Sequence, residues 1–259
     1  MSPPSTFRAL SLDLWFTTLY YSPEREAQWT ADRIRSLQEN LRTRRGEPLT
    51  SSDIEAAMDQ VHSRMRAGNS GPITVDPEET LRLYANALDA ELPAALSSFS
   101  KAYSAVGLSE HPPIPNPEAV AVVRALTNRG VPVISITNTA RRGATWHEFL
   151  RDHMGIDFSH IVSSADCGAA KPDLSIFQQA ARTLGLAASE ILHVGDRWEL
   201  DVEGAQRAGF GAALYTGLWR RYPDGLYPPT KPALSDSTTV LRVENLEQLL
   251  DGDLFPTGR

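Results

Sequence analysis

From residue 117 onward the chain alternates amphipathic stretches with short apolar runs, and that alternation restricts the fold more than any other feature. Helical periodicity at 117–129 leads to VPVISIT (131–137), and 144–154 to a short run near 160–163. The same holds for 173–184 before EILHVGD (190–196) and for 201–208 before GAALYT (211–216); TTVLRVENLEQLLDG supplies a last strand and helix. Strands that are apolar at nearly every position must be buried on both faces, so the pattern predicts a doubly wound α/β fold with a parallel sheet between helical layers. Ligands of such sheets bind beyond the carboxyl ends of the strands, so strand ends are the places to look for chemistry.

One further strand stands apart. RALSLDL (8–14) has the same character, yet the next hundred or so residues read as helices. PEREAQWTADRIRSLQENLRTRRG (23–46) places Trp29, Ile34, Leu37 and Leu41 near helical spacing and ends on Gly46. SSDIEAAMDQVHSRMRAG follows with Ile54, Met58, Val61 and Met65 on one stripe. DPEETLRLYANALDAEL opens with Asp76 as cap, Pro77 in the first turn and Glu79 three after the cap. A fourth helix is expected from Ala94 to Val106, and HPPIPNP (111–117) then marks a stiff connection. The expected organisation is a core domain of residues 1–21 and 112–259, with a four-helix cap domain of 22–111 inserted after the first strand.

Composition limits the function classes. At 259 residues and 41% hydrophobic the chain can bury ~70–75% of its extended surface without disulfides. The lone cysteine, Cys167, fits a reducing compartment. A net charge of −7 argues against nucleic acid or an anionic membrane as partner. No run approaches the ~20 apolar residues of a membrane span, and MSPPSTFRALSLDLWF lacks a basic segment and an unbroken apolar stretch, so a cytoplasmic protein is expected. Of the 25 basic residues only Lys101, Lys171 and Lys231 are lysines.

Residues at the strand ends are those a phosphoryl site needs: Asp13, Thr137–Asn138 and Gly195–Asp196, with Lys171 in the turn before a helix. Each alone is an ordinary turn or cap; Asp201 by itself reads as the N-cap of the helix expected there. A strand-end carboxylate can act as a nucleophile on phosphorus, and it needs a cation because its target is an anion.

Four segments occur in order: SLDLWFTTL (11–19), ISITNT (134–139), GAAKPDLSIF (168–177) and HVGDRWELDVEGAQRAGF (193–210). In order and spacing they resemble the haloacid dehalogenase-like hydrolase superfamily, with the helical insertion in the place of its cap. The resemblance implies an aspartyl-phosphate on Asp13 and Mg²⁺ held by Asp13, Asp196, Asp201 and the backbone carbonyl of Trp15. It further implies phosphoryl contacts from Thr17, Thr137 and Asn138, a charge-balancing Lys171, and a small phosphorylated molecule as substrate.

Two positions depart from that pattern. Phosphatases of the superfamily carry a second aspartate two residues after the nucleophile, as acid and base; here position 15 is Trp15, and the usual glycine beside it is Phe16. Indole has no acid–base function at neutral pH, and such a group is worth ~10²–10⁴-fold. Three readings follow: a phosphatase that uses another group or an easily departing leaving group, a metal-independent 2-haloacid dehalogenase-like hydrolase, whose relatives carry an aromatic residue here, or a binding protein without turnover. Gly195 and Asp196 favour the first, because three carboxylates without a cation repel one another. A phosphonate-cleaving mechanism is set aside because no lysine lies between Tyr20 and Ser100.

Tyr20 and Tyr21 read as pocket lining or core, Arg141 and Arg142, which follow the second motif, as solvated surface or as contacts to a substrate anion, and His193 as a core histidine. Arg64, Arg66 and GNSG (68–71) are candidate substrate contacts from the cap, weighed against an ordinary cap surface; Met58 and Met65 read as cap core. Neither His147 nor Cys167 has a partner at catalytic spacing.

Overall fold

The computed structural model describes residues 6–67, 76–108, 110–218, 240–251 and 254–255. Among them, six strands make the central sheet: β1 (Ala9–Leu12), β2 (Val133–Thr137), β3 (His160–Ser163), β4 (Ile191–Gly195), β5 (Gly211–Tyr215) and β6 (Leu241–Val243). Their spatial order is β6-β5-β4-β1-β2-β3, and every neighbouring pair is parallel. The chain runs outward from β1 through β2 to β3, then crosses to the other side of β1 and runs outward again. β1 therefore lies at the topological switch point, with Leu12 beside Ser135 on one flank and Val194 on the other.

Successive residues of each strand pack on opposite faces. Leu10, Leu12, Val133, Leu192 and Val194 join the apolar cluster on one side, while Ala9, Ile134, Ile136 and Ile191 join the other. That period of two, with apolar residues in both phases, is why the strands read as continuous runs.

Among the described residues, four helices lie between β1 and β2: α1 (Pro23–Asn40), α2 (Ser51–Ala67), α3 (Pro77–Ala87) and α4 (Leu96–Ala105). Ile34, Leu37, Ile54, Met58, Leu81, Tyr84, Phe99 and Tyr103 form an apolar cluster of their own, apart from the two on the sheet. α1 begins as its sequence implies, with the Ser22 side chain accepting from the Arg25 N–H and Pro23 in the first turn. It ends at Asn40 rather than near Gly46, because Leu41 is buried and turns to extended backbone. Arg42–Thr43 then pair antiparallel with Ala90–Glu91, which also stops α3 short of the expected Leu92. Leu19–Tyr20 pair with Ile114–Pro115, so the proline-rich connection is half of a two-stranded link beside the segment's exit and return. Side chains at Arg64, Met65 and Arg66, and the loop 68–71, lie outside the described residues.

After the insertion come α5 (Pro117–Asn128), α6 (Gly143–Met154), the short α7 (Ser164–Cys167), α8 (Leu174–Leu184) and α9 (Gly204–Arg207). α5 and α6 cover one face with Val122, Leu126, Trp146 and Leu150; α8 and α9 cover the other with Ile176, Phe177, Ala180 and Ala205. Burying each of the larger of these side chains contributes about 1.5–3 kcal/mol. α7 has no periodic signature, being a single turn capped by Ser163. The helix expected over 201–208 is instead a π-helical turn, Trp198–Glu203, running into α9, so Asp201 lies inside the turn and is not its N-cap. The expected closing helix is a 3₁₀ turn, Leu246–Leu250, capped by Asn245.

Candidate active site

Asp13 leaves β1 at its carboxyl end, its N–H donating to the Val194 carbonyl at 2.9 Å and its own carbonyl accepting from the Thr18 hydroxyl at 2.7 Å. The first bond ties the carboxylate's main chain to the sheet, and the second ties it to the turn that follows. The loop that follows turns sharply: Phe16 has φ 57°, in the left-handed region that favours glycine. This geometry accounts for the glycine usual at that position.

Lys171 lies 1% exposed between two carboxylates. Its Nζ is 2.7 Å from Asp13 Oδ1 and 2.6 Å from Asp201 Oδ1. Asn138 fixes the lysine's main chain: its Oδ1 accepts from the Lys171 N–H at 2.8 Å and its Nδ2 donates to the Lys171 carbonyl at 2.9 Å. Asp201 is held in turn by the Arg197 N–H at 2.9 Å, within the widened turn. A Cβ on Gly195 would collide with the Asp201 carboxyl group, which is why the strand ends on glycine.

His193 belongs to this cluster, a role its sequence context does not signal beyond its alternation with Ser11. The two are neighbours across β1 and β4. His193 is fully buried, its Nε2 3.2 Å from Asp201 Oδ1 and its Nδ1 2.7 Å from Ser11 Oγ. Burial, the largest influence, lowers its pKa, so a neutral ring donates to Asp201 and accepts from Ser11. The expectation of a satisfied core histidine describes its burial but omits this carboxylate partner.

The carboxyl groups diverge in acidity. Burial and the nearby Asp201 push Asp13 up to about 6, against the opposing pull of Lys171. Burial also works to raise Asp201, but the Lys171 charge and the His193 hydrogen bond outweigh it and hold it well below the usual carboxylate range. For Lys171, burial opposes the charge and the two carboxylates overcome it, raising the pKa.

One oxygen from each of Asp13, Asp196 and Asp201 lies within 4.8 Å of the others, and all three residues are buried. Three carboxylates against one ammonium leave an excess of negative charge, and a set of hard oxygen donors suits Mg²⁺. The carbonyl of Trp15 accepts no backbone hydrogen bond among the described residues. The buried hydroxyls of Thr17 and Thr137 likewise have no hydrogen-bond partner among them. The structure thus brings Asp13, Lys171, Asn138 and Asp201 into direct contact, with Asp196 beside them. It puts Thr17 in the loop after β1 and Thr137 at the end of β2.

Trp15 is half-buried in a group of rings, 5.3 Å from Tyr21 and 5.5 Å from Trp146 between centroids. Arg141 is not solvated surface: it is buried, donating from Nε to the Ser104 carbonyl and from Nη2 to that of Val106 at 3.3 Å. The carbonyls at the end of α4 accept a cation there, as a helix C-terminus favours. Arg142, by contrast, is exposed and reaches Asp166 at 3.3 Å.

The sequence pattern of the haloacid dehalogenase-like hydrolases matches residues 21–209, a span that holds Thr137, Lys171, Asp196 and Asp201. A glyceraldehyde 3-phosphate phosphatase of Methanopyrus kandleri is 30% identical over 137 residues, 53% of this chain and 55% of its own length. A pyrimidine 5'-nucleotidase of Escherichia coli is 31% identical over 137 residues, 52% of this chain and 56% of its own. The chain spans about half the length of these curated relatives. A solved 2-haloacid dehalogenase of Pseudomonas syringae superposes with a TM-score of 0.62, covering 95% of this chain and 97% of that one; at 21% identity the likeness is one of fold. With the family's pattern running through well over half of its length, the chain belongs to the haloacid dehalogenase-like hydrolases.

Proposed function

We propose that this protein is a Mg²⁺-dependent phosphatase acting on a small phosphorylated metabolite through an aspartyl-phosphate on Asp13. The observation that carries the reading is the buried cluster of Asp13, Asp196 and Asp201. Metal-independent chemistry on carbon would leave those charges mutually repelling beside the nucleophile. Asp13, Asp196, Asp201 and the Trp15 carbonyl would hold Mg²⁺, which when bound neutralises the phosphoryl oxygens.

The remaining chemistry falls to the chain's own groups. An Asp13 oxygen attacks phosphorus, forming the Asp13–phosphorus bond as the bond to the leaving oxygen breaks, and water later cleaves the aspartyl-phosphate. Lys171 keeps Asp13 ionised and fixed in position, and Asn138 fixes Lys171. The hydroxyls of Thr17 and Thr137 donate to phosphoryl oxygens, which supply acceptors for two buried groups that have no partner among the described residues. Trp15 cannot protonate the departing oxygen, so the site favours leaving groups stable as anions, such as acyl or aryl oxides.

Residues 22–111 act in this reading as a cap over a core of 1–21 and 112–259, excluding water and reading the leaving group. Their separate apolar cluster and the two-stranded link at Leu19–Tyr20 support it. The relatives named above act on two different phosphate esters, which supports phosphoryl chemistry and leaves the substrate open. Residence in the cytoplasm is part of the reading, supported by the single, free Cys167. Among the described residues no helix is long and apolar enough to cross a membrane.

Hydrolysis of p-nitrophenyl phosphate, whose leaving group needs little protonation, tests the reading. Turnover should require Mg²⁺ and vanish in Asp13→Asn. Halide release from 2-chloropropionate without metal would replace it with the dehalogenase reading that Trp15 favours, and inertness toward both substrates would favour a binding protein.

A further inference from the structure

Two guanidinium groups lie against one indole between the helical segment and the sheet. Arg33 of α1 lies 4.7 Å from the Trp29 ring centroid and 4.6 Å from that of Tyr103. Arg141, in the turn after β2, lies 5.5 Å from the same Trp29 ring and 5.2 Å from Trp146. Arg141 is only 6% exposed. Its acceptors are the Ser104 and Val106 carbonyls, and the Nε of Arg33 donates to the Tyr103 hydroxyl at 2.9 Å. All of these partners are neutral.

Among the described residues neither arginine forms an ion pair; burial works to lower the Arg33 pKa, but nearby tyrosines outweigh it and raise it. The strain registers on Arg141, which burial first and Arg33 second pull down to about 10. The indole N–H of Trp29, the ring over which both guanidiniums lie, is itself buried without an acceptor among the described residues. Two like charges and an unpartnered donor in a largely dry place form an arrangement that proteins compensate with an anion.

The pair adjoins the nucleophile's loop. Trp15, two residues after Asp13, contacts Trp146 and Tyr21, and Tyr21 lies 5.6 Å from Trp29. A continuous wall of rings therefore leads from the Asp13 loop to both guanidiniums. We propose that Arg33 and Arg141 bind a second anionic group, a carboxylate or a phosphate, on the molecule whose phosphoryl group Asp13 attacks. The proposal rests on the phosphatase reading above and narrows its substrates to phosphate esters bearing two anionic ends. It also gives position 15 a use: an aromatic side chain walls the path between the two ends where an aspartate would repel the second anion.

Calorimetric titration in Mg²⁺ buffer with three non-hydrolysable probes tests this without turnover: ethylphosphonate with one anionic end, and phosphonoacetate and methylenediphosphonate with two. The wild-type protein should bind at least one two-ended probe ~10- to 100-fold more tightly than ethylphosphonate, as charge-assisted hydrogen bonds to a guanidinium imply. Whichever two-ended probe binds better identifies the second anion as carboxylate or phosphate. Arg33→Met should abolish the preference while leaving ethylphosphonate affinity and the melting temperature near wild type. Arg141→Met should abolish it too, with a lower melting temperature from its lost main-chain bonds. Equal affinity for all three probes in the wild type, or a preference that survives Arg33→Met and Arg141→Met, would overturn the proposal alone. Failure of every phosphonate to bind would overturn the phosphatase reading and the proposal with it.

Discussion

Removing the nucleophile's charge should make the metal-free protein more stable. Asp13 titrates at about 6 in the folded chain, against 3.8 for an unperturbed carboxyl, because burial penalises its ionised form more than Lys171 supports it. Between those values the folded state binds the proton more tightly than the unfolded state, so stability falls as pH rises through the window and the full cost is reached above about pH 6. At about 1.4 kcal/mol per pH unit, ionised Asp13 costs about 3 kcal/mol at pH 8 and about 1 kcal/mol at pH 4.5. Asparagine resembles the protonated form, and Lys171 keeps Asp201 as partner in its absence. Urea unfolding in EDTA should therefore show Asp13→Asn more stable than wild type by about 3 kcal/mol at pH 8, with the gain shrinking toward about 1 kcal/mol at pH 4.5. Mg²⁺ at about 1,000 times Kd should reverse the order, since binding there adds about 4.1 kcal/mol to the form that binds. An Asp13→Asn protein less stable than wild type at pH 8 in EDTA, or a gain independent of pH, would refute the electrostatic reasoning.

Other substitutions test neighbouring parts of the site. Lys171→Met strips the cation from two buried carboxylates and should cost about 3–5 kcal/mol in urea unfolding at pH 8, with part of the loss restored by Mg²⁺. Gly195→Ala drives a methyl group into the Asp201 carboxyl and should cost about 1–3 kcal/mol by thermal melting, with weaker Mg²⁺ binding by calorimetry. Trp15→Asp should raise kcat on alkyl phosphates by about 10²-fold or more, if the missing acid limits that reaction. Flat or reduced activity would mean that Trp15 serves the pocket instead.

The parts of this molecule legible in its sequence share a property: each is set by short-range pattern. Leu10, Leu12, Leu192 and Val194 announce buried strands; Asp13 and Asp196 follow because they sit at the carboxyl ends of neighbouring parallel strands, and Lys171 because it lies in the turn before a helix. What was not legible depends on distant partners or on unusual backbone. Arg141 looks like any arginine in a polar turn until Trp29, Ser104 and Val106 close over it, and no spacing rule links those positions. Asp201 reads as a helix cap, but its burial between Lys171 and His193 draws it into a π-helical turn. The end of α1 moved from Gly46 to Asn40 because Arg42–Thr43 pairs with Ala90–Glu91, a contact across an entire helical hairpin.

The central claim is that Asp13 carries the phosphoryl group between substrate and water. Rapid acid quenching of the protein with Mg²⁺ and p-nitrophenyl phosphate, followed by peptide mass mapping, tests it most directly. Covalent catalysis predicts a peptide containing Asp13 heavier by one phosphoryl group, absent without Mg²⁺ and absent in Asp13→Asn. Sustained turnover by Asp13→Asn, or a phosphoryl group trapped on any other residue, would contradict it.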